Sequence, residues 1–89
     1  MNISKGQIVY SKAGRDKGLV FVVLDVLDNR YVVIADGKLR KIESPKKKKI
    51  KHIIMTDIIS HDIIDKLNEN KISNSYIRNV LKEVEKDMK

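Results

Sequence analysis

Residues 10–21, YSKAGRDKGLVF, run from the end of a short apolar segment through a basic loop into a longer apolar segment. Gly14 and Gly18 give the loop freedom, while Lys12, Arg15 and Lys17 give it charge. Ser11 is its one aliphatic hydroxyl. A catalytic loop would offer a nucleophile beside a base, or a cluster of metal ligands, and this one offers neither. Cations held between two strands are suited to gripping a polyanion.

The segments on either side of the loop read as strands. Residues 6–10, GQIVY, form a short first strand, and residues 19–27, LVFVVLDVL, are dense in β-branched and aromatic side chains. Asp25 falls in register with Leu19, Phe21, Val23 and Leu27, so Val20, Val22, Leu24 and Val26 are expected to face the core. Asp28-Asn29 is turn chemistry, and residues 31–35, YVVIA, return as a third strand. Asp36-Gly37 is a favoured pair for a two-residue hairpin, which places a fourth strand over residues 38–43. Ser44-Pro45 and the lysines lead to a fifth strand over residues 50–55. Five short strands within about 50 residues predict a small closed barrel, since closure removes unpaired edges.

Farther along, the period changes from two to 3.6. Ile59, Ile63, Ile64 and Leu67 mark an amphipathic helix over residues 60–68, with Ser60 at its N-cap. Tyr76, Ile77, Val80, Leu81, Val84 and Met88 trace the apolar face of a second helix, capped by Ser73 or Ser75. The charge changes along with the period. Residues 1–56 carry 13 Lys and Arg against 5 Asp and Glu, whereas residues 57–89 carry 6 against 7. We therefore divide the chain into a barrel, residues 1–56, and a two-helix extension packed on it, residues 57–89. With 89 residues and no cysteine, a lone barrel core is marginal, and the helices enlarge it. No apolar run is long enough to cross a bilayer and the N-terminus has no signal-peptide h-region, so a cytoplasmic protein without a membrane partner is expected. A net charge of +7 and a pI near 9.7 favour an acidic partner such as nucleic acid.

The stretch VYSKAGRDKGLVFVV, residues 9–23, resembles the KOW motif: strand, basic loop, glycine, apolar strand, with Gly18 at the place of the motif's hallmark glycine. Residues 34–53, IADGKLRKIESPKKKKIKHI, are similar to the N-terminal barrel of large-subunit ribosomal proteins of the "fourteen-e" type. Residues 71–84, KISNSYIRNVLKEV, resemble the tails of their short bacterial relatives. The likeness covers residues 4–56 and, more loosely, the tail. It implies a mainly β fold, a small SH3-like barrel followed by a helical hairpin. It also implies binding to structured RNA, ribosomal RNA foremost, with ribosomal proteins as neighbours.

The expected RNA contacts are Lys12, Arg15 and Lys17 in the loop, Arg40, and the run Lys46, Lys47, Lys48, Lys49 and Lys51. A solvated hairpin loop and a solvated lysine run are the plainer alternatives. Yet five lysines within six positions repel one another unless a polyanion screens them, and lysine meets phosphate as a point charge without base code. Gly18 is expected to serve the backbone. Phe21 is assigned to the core; Tyr10 and Tyr31 are open to core packing or to stacking on an unpaired base. His52 and His61 have no companion ligands at metal spacing, and Gly14-x3-Gly18 is followed by leucine, which fails as a nucleotide loop. Neither metal, cofactor nor enzymatic activity is expected. Two other classes fit the same residues: a protein-interaction module, and a KOW domain associated with transcription.

Overall fold

A computed structural model describes residues 3–87. Five strands, β1 (Gln7–Ser11), β2 (Val20–Val26), β3 (Tyr31–Ala35), β4 (Lys46–Lys49) and β5 (Ile53–Ile59), precede two helices, α1 (His61–Asn68) and α2 (Asn74–Asp87). All strand pairs are antiparallel, in the order β4-β3-β2-β1-β5. The edge strands β4 and β5 are joined by a single 3₁₀ turn, Ile50–His52. Such a turn advances about 6 Å, whereas the edges of a flat five-stranded sheet lie roughly 19 Å apart. The sheet therefore curls into a barrel-like form, but among the described residues β4 and β5 do not pair, so the closure expected of the strand pattern is incomplete.

Curling gives the sheet an inside and an outside, and β2 is buried on both. Val9, Phe21, Val23, Val32, Ile34 and Ile53 fill the interior. Ile8, Val20, Val22 and Ala35 lie on the outer face and pack against Ile63 of α1 and Ile77 and Leu81 of α2. The expectation that Val20, Val22, Leu24 and Val26 share one core face is corrected accordingly. Phe21 and Val23 fill the barrel, Val20 and Val22 carry the helices, and a register shift between Val23 and Asp25 sends Leu24 and Val26 to opposite clusters. Tyr10, half-buried, joins the outer cluster.

Two strand assignments also change. Residues 38–43 form no strand, because local polar groups capture their backbone. The Asp36 carboxylate accepts from the Lys38 and Arg40 N–H groups at 2.9 and 2.8 Å, and Asp36 and Gly37 both donate to the Arg40 carbonyl. Farther on, Ile42 N–H donates to Asn74 Oδ1 at the start of α2. Gly37 has φ +76°, and a Cβ there would collide with the Asn74 carbonyl. The fourth strand is the lysine run itself, paired with β3 so that Tyr31 faces Lys49 and Ile34 faces Lys46. Residues 50–52 form the 3₁₀ turn, and β5 then continues to Ile59. Strand gives way to helix at Ser60 and not at Asp57, where the charge balance turns.

Both helices begin at serine caps. Ser60 Oγ accepts from Ile63 N–H, and Ser73 Oγ accepts from Tyr76 N–H, each satisfying a first-turn donor. Met88, assigned to the α2 stripe, lies outside the described residues. Among the described residues no helix is long and apolar enough to cross a membrane.

Candidate nucleic-acid interface

The loop from β1 to β2 is held by its own backbone. Gly18 N–H donates to the Ser11 carbonyl at 2.8 Å, Leu19 N–H to Asp16 at 2.9 Å, and Lys17 N–H to Gly14 at 3.2 Å. Gly18 has φ +85°, and among the described residues beyond its chain neighbours no heavy atom lies within 4 Å of where its Cβ would stand, so the position requires a backbone conformation and not close approach. This scaffold leaves Lys12, Arg15 and Lys17 exposed at fixed points.

Two bonds fasten the loop to the lysine strand and to the 3₁₀ turn that follows it. Lys12 N–H donates to the His52 carbonyl at 2.8 Å, and Lys48 Nζ donates to the Ala13 carbonyl at 2.9 Å. Loop and lysine strand, 35 residues apart at Lys48 and Ala13, thereby become neighbours. The imidazole of His52 registers the result. Its pKa lies below the ordinary histidine value, first through desolvation, then through the charges of Lys51, Lys48, Lys49 and Lys12.

Two candidates are engaged within the fold, Lys48 by burial and Arg40, its side chain 33% exposed, by an ion pair. Lys48 is only 8% exposed, with its ammonium turned onto Ala13. Arg40 Nη2 lies 3.3 Å from the Asp16 carboxylate, whose side chain is 7% exposed. Burying Asp16 without that guanidinium would leave a lone charge out of water, so Arg40 acts as its partner. Lys46 is half-buried, while Lys47, Lys49 and Lys51 remain exposed.

Strand alternation accounts for the division within the run. Lys48 sits opposite Val32 of the barrel interior, whereas Lys47 and Lys49 face outward with Tyr31. Lys47 Nζ stands 4.4 Å from the centroid of the Tyr31 ring. Beside that ring a half-open depression of about 490 Å³ is lined by Asn29, Arg30, Tyr31, Lys49, Ile50 and Lys51. Asn29 and Arg30 were absent from the sequence-based set. They sit on the β2–β3 turn, and only the pairing of β3 with the lysine strand brings that turn beside Lys49 and Lys51.

Asp28 shapes this turn. Its Oδ1 accepts from Arg30 N–H at 2.7 Å and Tyr31 N–H at 2.8 Å. Those two bonds, with smaller help from the charges of Lys47 and Arg30, hold its carboxyl below the usual carboxylate range. The resulting surface runs from Lys12 past His52 to Lys49 and Lys51, and on to Arg30 and Lys47. Aliphatic stems and one aromatic ring lie among its cations.

No protein-family model matches the chain. It is similar to a protein of Bacillus subtilis (strain 168) named "Putative ribosome-binding protein YbzG", with 33% identity over 64 residues, which span 72% of this chain and 86% of that protein.

Proposed function

The chain belongs to the family of the Bacillus subtilis protein YbzG, and from that premise we propose that it is a ribosome-associated RNA-binding protein of the cytoplasm. It binds structured ribosomal RNA through phosphates, has ribosomal proteins as neighbours, and catalyses no reaction. The observation that carries the reading is that the bonds from Lys12 N–H to the His52 carbonyl and from Lys48 Nζ to the Ala13 carbonyl bring the basic β1–β2 loop beside the exposed Lys49 and Lys51. Lys47, Arg15 and Lys17 extend the same surface. The KOW-like reading of residues 9–23 belongs to this proposal, supported by the order β1, basic loop, Gly18, β2.

The test is fluorescence anisotropy with a ribosomal RNA fragment across a salt series. Neutralising about four to six phosphates gives a slope of log K against log salt near −3 to −5. Sedimentation of lysate at low and high salt gives the cellular counterpart, in which the protein leaves the ribosomal fractions as salt rises. Binding that survives high salt unchanged refutes the phosphate reading. That outcome would favour a protein-docking module, for which one feature speaks: a groove between α2 and the exposed Leu19 and Leu39.

A further inference from the structure

Resting on that reading, we propose that the depression beside Tyr31 takes one unpaired RNA nucleotide, its base stacked on the tyrosine and its phosphates held by Arg30, Lys49 and Lys51. Tyr31 faces outward from the β3–β4 ribbon, among lysines and away from the core. The Asn29–Lys51 depression at about 490 Å³ falls within the range of about 300–1,000 Å³ typical of ligand sites. Its lining is what a nucleotide needs: an aromatic ring, the apolar Ile50, three cations, and an amide at Asn29 able to donate and accept at a base edge. Among the described residues no carboxylate lines it. Asp28, adjacent in sequence to the lining, is occupied by two backbone donors. Lys47 keeps a further cation at the ring itself, within reach of the phosphates flanking a stacked base.

The site is also built before its ligand arrives. Asp28 fixes the β2–β3 turn, and Ile50 N–H donates to the Arg30 carbonyl at 2.7 Å, which joins the two lips of the depression. Little backbone freedom is left to lose on binding, so the ordering cost falls on the side chains of Arg30, Lys49 and Lys51. Duplex RNA cannot use such a site, because its bases are already stacked and its readable edges lie within the grooves. The surface around His52 therefore holds phosphates of any RNA, while the Tyr31 depression selects loops, bulges and ends.

The experiment compares an RNA hairpin bearing an unpaired loop with a blunt duplex of the same stem, at low salt. The parent protein binds the hairpin more tightly than the duplex. Tyr31→Leu, which keeps apolar bulk on a half-buried position, weakens hairpin binding by about tenfold and leaves the duplex unchanged. Tyr31→Phe keeps the π-face and the preference. On the unmutated protein, the Tyr31 ring protons shift upfield by NMR as hairpin is added and stay in place with duplex, so the inference does not hang on a variant folding. Equal binding of the two RNAs by the parent, or a ring signal that ignores the hairpin, overturns the unpaired-nucleotide site while the phosphate surface stands. If neither RNA binds at low salt, both readings fall.

Discussion

Lysines 46–49 look interchangeable in the sequence, and the structure predicts that they are not. Lys48→Ala removes the bond from Nζ to the Ala13 carbonyl and the apolar stem behind it. A hydrogen bond to a charged group contributes about 1.5–3 kcal/mol. Burying an ammonium 8% exposed among other lysines offsets part of that gain. A net loss of about 1–2 kcal/mol remains, and at about 4–8 °C per kcal/mol for a domain of this size the melting midpoint falls by roughly 5–15 °C. Lys49→Ala removes an exposed cation and leaves the midpoint nearly unchanged, but lowers the salt slope of RNA binding by about 0.7–0.9. Lys48→Met keeps the stem without the ammonium and should fall between Lys48→Ala and the parent. Circular dichroism melts and anisotropy titrations on the same samples separate the two effects. A Lys48→Ala protein that melts with the parent yet shows a flattened salt slope would make Lys48 a phosphate contact and refute the reasoning.

Gly37→Ala should cost more than about 1 kcal/mol by urea titration, because φ is +76° and the new Cβ meets the Asn74 carbonyl. Gly18→Ala shares the strained φ but has open space around it, so it should cost less than Gly37→Ala in the same assay. A chain ending at Ser60 loses Ile63, Ile77 and Leu81 from the outer core; at about 1.5–3 kcal/mol each this approaches the whole stability of a small domain. Dye binding and loss of a cooperative melt would report it. His52 should titrate below the ordinary histidine range in the free protein, and bound phosphate should raise its pKa. RNA binding then takes up protons and strengthens as pH falls from 7 toward 5.5, a trend that His52→Gln abolishes. In the free protein the sign is opposite: a depressed histidine pKa means the unfolded chain binds more protons, so stability rises with pH across the same window.

β1 to β3 and both helices were legible because their signals are local. Short runs of β-branched and aromatic residues mark β1, β2 and β3, and Ser60 and Ser73 act as caps on helices whose stripes recur every three or four residues. β4 was not legible. Lysine has weak strand preference, and residues 46–49 become a strand only because β3 offers them a ladder of hydrogen bonds. Asp36-Gly37 pointed to a hairpin, and Asn74, a residue of α2, holds that segment open instead. β2 read as one buried face although its unbroken apolar run over residues 19–24 is the pattern of a strand covered on both sides; the strand does not say that helices supply the second cover.

The basic surface divides along the same line. Composition along the chain carries the sign of the partner, because charges add wherever the chain goes, and +7 with the excess in residues 1–56 is independent of folding. Which cations stay free depends on what each one meets through space. Asp16 takes Arg40 from 24 residues away, Ala13 takes Lys48 from 35, and Arg30 joins Lys49 and Lys51 only across a strand pairing. A charge can be counted in one dimension; its desolvation and its partner exist only in three.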